Sequence, residues 1–334
     1  MHLVLGLPGF LAGPSLSPLP PLPGLARLLH AGGTPVVTAA ALPQALAERY
    51  GVVRDGDWPL AALRLRAFGH DPGSDWWLAA DPVTLVAGRD DVRITGSVTD
   101  LTAAEAAALV ARLNAHFAAD DLRFFAATPR HWFVGSRRPH AITTQPLAAA
   151  VGRPLRELLP QGRDRALWRR WQNEIEMLLH DHPVNRERES LARGVANGLW
   201  FGDGGTLPAP PRPLPGRMTF ADDDAVRALA LHAGEAHAAA VASLDAAQRA
   251  AATATELVAV VAADADPATV EQAWTGPAWR ALGAGTLTRV TLLADGGGRT
   301  ARWDIARPGP LARIRARFST PSLAALLAPV RQDD

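Results

Sequence analysis

The chain has 334 residues, of which 48% are hydrophobic and 20% are charged, so it carries enough apolar surface for a large folded core. Its 34 basic and 33 acidic residues nearly cancel, whereas a sequence-independent nucleic-acid binder needs a basic excess. Cysteine and lysine are both missing, which excludes disulfides, thiolate metal sites, cysteine nucleophiles, lysine Schiff bases and the phosphate-loop lysine.

The N-terminal segment is apolar but does not have the pattern of a secretion signal. Met1 to Ala12 lacks a basic n-region and contains Pro8 and two glycines. No stretch of the sequence reaches the ~20 uninterrupted apolar residues that span a bilayer. We therefore predict a cytoplasmic protein that binds no membrane, with His2 to Leu7 as a buried first strand.

A capping box marks the clearest helix of the first half. Thr102 and Glu105 can each satisfy a backbone donor of the first turn, and apolar residues then recur at helical spacing up to Phe117. The remaining signals of this half alternate between strand and helix. They predict a proline-rich loop at 14–23, short helices at 25–30 and 42–50, a strand pair within 83–95 that turns at 88–91, and strands at 122–125 and 131–134.

A second strong helix is predicted over 164–181, with a broad apolar face that includes Trp168 and Trp171. Pro183 ends it, because the residue before a proline is disfavoured from the helical conformation. We expect an irregular loop after Pro183. A short strand at 197–201 then enters a glycine-rich turn at 202–205.

Residues 207–216 form the best candidate linker, because five prolines fall between Leu207 and Pro215. They separate a predicted N-terminal α/β region, 1–206, from a C-terminal α/β region, 217–334. The C-terminal region is expected to contain a helix at 222–232, a strand at 256–262, a helix capped by Asp266, a hairpin of strands 287–293 and 300–305, and a last helix from Thr320-Pro321. This alternation predicts an α/β fold with a mixed sheet flanked by helices.

Residues 161–205 carry the most unusual polar pattern. A polar stripe lies opposite the tryptophans of the predicted helix, because residues three or four apart share a face. It consists of Arg169, Asn173, Glu176 and His180, and it is followed by His182, Asn185, Arg186 and Arg188. Such a set could line an anion pocket, with arginines clamping a phosphate or carboxylate and the amides of the glycine turn forming a nest. The alternative is a solvated helix face followed by a structural turn, and the spacing leaves both open.

His180 and His182 also suggest a metal site, with Glu176 or Asp181 as a carboxylate ligand. Two histidines two residues apart point in different directions on a helix, and no third histidine follows at a recognised ligand spacing. We therefore predict structural histidines, no metal and no cofactor. The sequence also contains neither a G-x-G-x-x-G after a strand nor a G-x-S-x-G elbow.

The block from Asn173-Glu174-Ile175 through His180-Asp181-His182-Pro183-Val184-Asn185, with Arg188-Glu189, resembles the bacterial "regulatory protein RpfE" family. The similarity runs from about residue 2 to residue 305 and includes Ala80-Asp81-Pro82-Val83, Leu113-Asn114-Ala115-His116-Phe117 and Asn197-Gly198-Leu199-Trp200. The His-Pro-Val-Asn block is also similar to a segment of archaeal-type, cofactor-independent phosphoglycerate mutases.

The resemblance to the mutases implies an alkaline-phosphatase-like core with a two-metal centre. That family carries a serine nucleophile and Asp and His ligands at strand ends, including an Asp-Gly after the first strand and a late Asp-His-Gly. Here the first strand leads into Leu7-Pro8-Gly9, and the late strand ends Ala294-Asp295-Gly296-Gly297. Because two metals need several carboxylates and histidines, we expect a degenerate core with no catalytic residues.

Three functions remain open from the sequence. We favour a non-catalytic regulatory protein with a site for a phosphorylated small molecule or a protein partner. The alternatives are an active metal-dependent mutase or phosphotransferase that uses His180, His182 and Glu176, and an interaction module that binds protein through a Trp168/Trp171 surface or its C-terminal half. The predicted ligand-binding residues are Arg169, Asn173, Glu176, His180, His182, Asn185, Arg186, Arg188, Asn197 and Trp200.

Overall fold

The computed structural model describes residues 1–11, 20–89, 91–309 and 322–331. Its strands are β1 (His2–Leu7), β2 (Val36–Thr38), β3 (Trp76–Ala87), β4 (Val92–Ser97), β5 (Leu122–Ala126), β6 (Trp132–Ser136), β7 (Ile142–Thr143), β8 (Gln161–Gly162), β9 (Gly198–Thr206), β10 (Arg217–Phe220), β11 (Ala236–Ala238), β12 (Glu256–Val260), β13 (Arg289–Gly296) and β14 (Arg299–Ala306). Its α-helices are α1 (Pro23–Gly32), α2 (Leu42–Ala47), α3 (Leu60–Ala67), α4 (Ala103–Phe117), α5 (Leu147–Ala150), α6 (Arg165–His180), α7 (Pro183–Ser190), α8 (Asp224–His232), α9 (Leu244–Ala250), α10 (Pro267–Val270), α11 (Gly276–Ala284) and α12 (Leu323–Arg331).

The chain forms two compact units, one of Met1–Gly51 with Pro210–Asp334 and one of Val52–Ala209. We refer to them as unit 1 and unit 2. This division differs from the predicted regions 1–206 and 217–334, because β1 is the parallel neighbour of both β12 and β13. Strand pairing therefore places the first 51 residues with the C-terminal segment. The second passage between the units, after Ala209, falls inside the predicted linker at 207–216.

Unit 1 is built on a seven-stranded mixed sheet in the order β11-β10-β12-β1-β13-β14-β2. The strands from β11 to β13 run parallel, while β14 is antiparallel to both β13 and β2. The central strands β1 and β12 are almost continuously apolar, as expected for strands that are covered on both faces. Leu3, Leu5 and Leu7 pack with side chains from α1, α9, α11 and α12, and Leu42 of α2 lies against Gly6 on the opposite face.

Unit 2 is built on an antiparallel sheet in which the long strand β3 pairs with β4, β6 and β9. Successive side chains at the start of β3 alternate between two apolar clusters. Trp76 and Leu78 pack with α4 and α6 on one face. Trp77 and Ala79 pack with α3 on the other. Trp76 and Trp77 are therefore both core residues, on opposite faces of the sheet.

The mixed α/β fold with sheets flanked by helices is confirmed. The capping box is present: the Thr102 hydroxyl accepts from the Glu105 amide at 3.2 Å, and the Glu105 carboxylate accepts from the Thr102 amide at 2.7 Å. The predicted first strand has the observed bounds of β1, and Asp266 caps α10 as expected. The predicted start of the last helix at Thr320-Pro321 lies outside the described residues. None of the described helices combines the length and apolar character needed to cross a membrane.

Two predictions around residues 183–205 were wrong. Pro183 begins α7 instead of leading into an irregular loop, because proline is suited to the first turn of a helix. The predicted glycine turn at 202–205 is the second half of strand β9. A Cβ atom at Gly204 would lie 2.7 Å from Trp76, and one at Gly205 would lie 2.7 Å from Pro59. The glycines therefore permit close packing in a sheet and do not form an anion-binding nest.

Candidate functional site

The carboxyl ends of the parallel strands in unit 1 are the expected place for a ligand in an open α/β sheet. β1 ends there in Leu7-Pro8-Gly9, without an acidic residue. Asp295, at the end of β13, accepts hydrogen bonds from the amides of Gly9 at 2.6 Å and Leu42 at 2.9 Å. Burial raises the pKa of the Asp295 carboxyl. Both oxygens of this carboxylate therefore accept hydrogen bonds from backbone amides.

The acids after β10 are engaged in the same way. Asp222 accepts a hydrogen bond of 3.0 Å from the amide of Ala240, and Asp223 caps α8 through the amide of Val226 at 2.9 Å. The part of the chain that the structure describes contains no group of three histidine or acidic side chains arranged to share a metal ion. The residues at these strand ends do not fit a two-metal phosphotransfer centre.

Asn185 and Asn197, which were predicted to orient a ligand, bind backbone instead. Asn185 is 2% exposed, donates to the carbonyls of Leu179 and Ala196, and accepts from the Ala196 amide. Asn197 forms a matched pair of hydrogen bonds with the amide and carbonyl of Leu85, at 2.7 and 2.9 Å. Both side-chain amides therefore stabilise the backbone conformation around α7 and β9.

Arg188 was predicted to bind an anion, but it is 1% exposed and its partners are internal. Its guanidinium binds the Gly194 carbonyl at 2.6 Å, Glu105 at 3.1 Å, and Asp100. Trp200 is likewise buried, and its indole donates to the Gln145 carbonyl at 2.9 Å. These two side chains are structural.

His180, His182 and Arg186 lie at separate positions around the end of α6 and the start of α7. His180 is exposed on the last turn of α6. The Nδ1 atom of His182 accepts from the Val184 amide at 3.2 Å, and burial together with the charge of Arg112 lowers the pKa of this imidazole. Arg186 is exposed and lies 3.6 Å from Asp181. The structure thus does not assemble His180, His182 and Glu176 as metal ligands.

Arg169, Asn173 and Glu176 line a common groove of 480 Å³, and they are the part of the predicted site that the fold brings together. We call it the α6 groove. It lies between α6, the turn after β3 and the segment around residue 155. The sequence analysis missed three of its polar residues, Asp91, Arg156 and Gln172. The sequence did offer a signal for Gln172, since it is a polar residue four positions after Trp168 on the apolar face of the helix. It offered no such signal for Arg156.

Some charged side chains of the α6 groove form ion pairs and others do not. Arg93 donates to both carboxylate oxygens of Asp91, and this contact lowers the pKa of that carboxyl. Arg156 and Arg169 line the groove without an ion pair to any residue that the structure describes, and the charge of Arg156 also contributes to the lowered pKa of Asp91. Burial raises the pKa of Glu176, although a hydrogen bond from Gln172 opposes the shift. Two guanidinium groups are thus available at the groove.

A second cavity in unit 2, of 780 Å³, is lined by Asp57 and His140. Asp57 accepts hydrogen bonds from the amides of Trp58, Thr144 and Gly204, so it holds three segments together. His140 lies 3.1 Å from the Ser136 hydroxyl, which is a base–nucleophile distance. Ser136 is 2% exposed, however, so this hydroxyl cannot reach a substrate.

The predicted Trp168/Trp171 interaction surface is wrong. Trp168 is 1% exposed and Trp171 is 2% exposed. Their rings contact each other and the His140 ring, with centroids 5.2 to 5.6 Å apart. The apolar face of α6 therefore supplies core contacts.

No family model matches the chain, and no curated protein matches it. Among solved structures, the cofactor-independent phosphoglycerate mutase of Thermoplasma acidophilum DSM 1728 is similar, with a TM-score of 0.43 and 13% identity over 99% of each chain. The PH0037 protein of Pyrococcus horikoshii is similar with a TM-score of 0.46 and 15% identity, over 92% of this chain and 87% of that one. We therefore base the proposed function on the residues of the α6 groove.

Proposed function

We propose that this chain is a phosphoglycerate-mutase-like regulatory protein without two-metal chemistry, and that it binds a small phosphorylated or carboxylated metabolite in the α6 groove. The observation that carries the proposal is that Arg156 and Arg169 line one groove and neither forms an ion pair with a described residue, although the charge of Arg156 acts on Asp91. A guanidinium offers a planar set of donors that matches the oxygens of a phosphate or carboxylate.

The size and charge of the α6 groove support an anionic ligand of modest size. Its 480 Å³ lies within the range of small-molecule sites. Arg93 pairs with Asp91 and offsets its negative charge. Asn173 adds an amide that can donate to the same anion.

The metal-dependent mutase and the interaction module are less well supported. The mutase hypothesis needs His180, His182 and Glu176 at one metal ion, but His180 is exposed and His182 caps α7. The interaction hypothesis used a tryptophan surface that lies in the core. A binding role for the C-terminal half has no specific observation in its favour.

The proposal is tested by measuring the binding of 3-phosphoglycerate, n-propyl phosphate and inorganic phosphate by calorimetry and thermal shift, with a chelator present. A ligand at 100 times its Kd should stabilise the protein by about 2.7 kcal/mol. Arg169→Ala and Arg156→Ala should each weaken binding about tenfold or more, because each removes a charge-assisted contact.

Arg170→Ala is the matched control. Arg170 lies next in the chain, is 60% exposed and pairs with Glu174 and Asp120 on another side of α6. Its loss should leave the Kd within about twofold. The proposal fails if no anion of the panel binds, or if Arg170→Ala weakens binding as much as Arg169→Ala does.

A further inference from the structure

Glu176 places a carboxylate without a cationic partner in the α6 groove. It is half-buried and forms no ion pair with any residue that the structure describes. Burial raises the pKa of this carboxyl, and no described cation acts on it to offset the shift. The other acid of the groove, Asp91, differs in this respect, because Arg93 donates to both of its oxygens. Among the described lining residues, Glu176 is thus the carboxylate that can still bind a cation.

Glu176 and Arg169 both face the groove from α6 but do not pair with each other. They are seven positions apart in the helix. A rise of about 1.5 Å per residue separates their Cα atoms by about 10 Å along the axis. Asn173 lies between them and lines the same groove. One helix therefore presents a guanidinium and a carboxylate to the same space, with a side-chain amide between them.

The charges of the groove limit what can bind there. A ligand with negative charge alone would be repelled by Glu176 and would leave this carboxylate without a counter-charge. An ammonium group is the complementary partner, because it is cationic and has three donors, whereas an ionised carboxylate only accepts. A simple amine would meet Arg156 and Arg169 without neutralising them. The cation and the anion therefore belong on one molecule.

We propose that the ligand of the α6 groove is a zwitterion, in which an acidic group binds Arg156 and Arg169 and a primary ammonium group binds Glu176. The inference rests on the proposed function, because the two arginines hold the acidic group. Amino acids and phosphorylated amines share this chemistry. Since Arg169 and Glu176 are two helical turns apart, the two charged groups of the ligand should lie at opposite ends of a short chain.

The experiment compares two pairs of probes by calorimetry, O-phosphoethanolamine with n-propyl phosphate and 5-aminopentanoate with hexanoate. Within each pair a methyl group replaces the ammonium group and the acidic group is kept, so the ratio of the Kd values isolates the ammonium contact. At about pH 8 the phosphate esters are fully ionised and the amines remain charged. We expect the native protein to bind the aminated member of at least one pair about tenfold more tightly. The pair that shows the preference distinguishes a phosphorylated amine from an amino acid.

Glu176→Gln removes the charge and keeps the size of the side chain. It should bring the Kd ratio of the preferred pair to near one, while the probe without an amine binds as well as before or more tightly. Glu174→Gln is the matched control. Glu174 lies two positions away on α6, is 34% exposed, and pairs with His116 and Arg170 outside the groove. This variant should keep the native ratio.

The outcomes separate this inference from the proposed function. Equal Kd values within both pairs, with n-propyl phosphate still bound, would overturn the zwitterion and leave the arginine site intact. A preference that persists in Glu176→Gln, or that disappears equally in Glu174→Gln, would overturn the role of Glu176. If no member of either pair binds, the arginine site and the zwitterionic ligand are both wrong.

Discussion

Asp295 Oδ1 accepts a hydrogen bond of 2.6 Å from the backbone amide of Gly9, across 286 positions of chain. Its second oxygen accepts from the Leu42 amide at 2.9 Å, so one carboxylate connects the ends of β1 and β13 with the start of α2. The resemblance to the mutases places metal ligands at these strand ends. Here the carboxylate has a structural task in unit 1.

Replacing Asp295 with alanine should destabilise unit 1 by roughly 1–3 kcal/mol, because the buried Leu42 amide loses its acceptor. Urea unfolding of the full chain measures the change. Asp245→Ala is the matched control, since Asp245 is 72% exposed in a surface pair with Arg249 and should matter by under about 0.5 kcal/mol. An equal loss in both variants would contradict the structural role of Asp295.

Glu256 makes the stability of unit 1 depend on acid pH. Burial opposes its charge, but hydrogen bonds from His2 and Arg49 and the charges of Arg49 and Arg217 lower the pKa of this carboxyl from 4.5 to about 2. A lowered pKa stabilises the folded state fully above the unfolded pKa, and this contribution is lost as pH falls through 4.5 toward about 2. We expect a loss of roughly 2–3 kcal/mol after allowance for solvent screening.

Glu256→Gln tests this dependence. The variant should be less stable than the native protein at pH 7, and the difference should shrink as the pH is lowered, because the native carboxylate becomes protonated. The free energy of unfolding is followed by urea titration at several pH values. A difference that stays constant between neutral and acid pH would show that the charge of Glu256 is not the cause.

Replacement of Arg188 should destabilise the protein far more than replacement of Arg186, although both residues lie in α7. Arg188→Met removes a buried guanidinium that joins Glu105, Asp100 and the Gly194 carbonyl, and we expect a loss of roughly 2–4 kcal/mol. Arg186→Met removes an exposed pair with Asp181 and should change stability by under about 0.5 kcal/mol. Chemical unfolding of the full chain followed by tryptophan fluorescence measures the change, since seven of the ten tryptophans lie in unit 2. Similar values for the two variants would mean that the internal contacts of Arg188 contribute little.

Locally specified elements were predicted well. The capping box of Thr102 and Glu105 and the apolar spacing up to Phe117 lie within one helix, and α4 has those bounds. The segment from Pro183 to Thr206 was predicted poorly. Pro183 both ends α6 and begins α7, and the glycines of β9 read as a turn until the partner strand is known. A proline or glycine signal marks a change in the backbone but does not say what packs against it.

The sequence by itself determined the α/β class, the amphipathic helix α6 and the lack of an acid after β1, because these depend on residues close together in the chain. Only the tertiary structure decided the use of the polar residues around 161–205. Arg188 meets Asp100, 88 positions away, and becomes structural. Arg169 lines the α6 groove together with Arg156 and forms no ion pair with a described residue. Whether a polar side chain is satisfied depends on what folding brings beside it, and spacing along one segment cannot supply that partner.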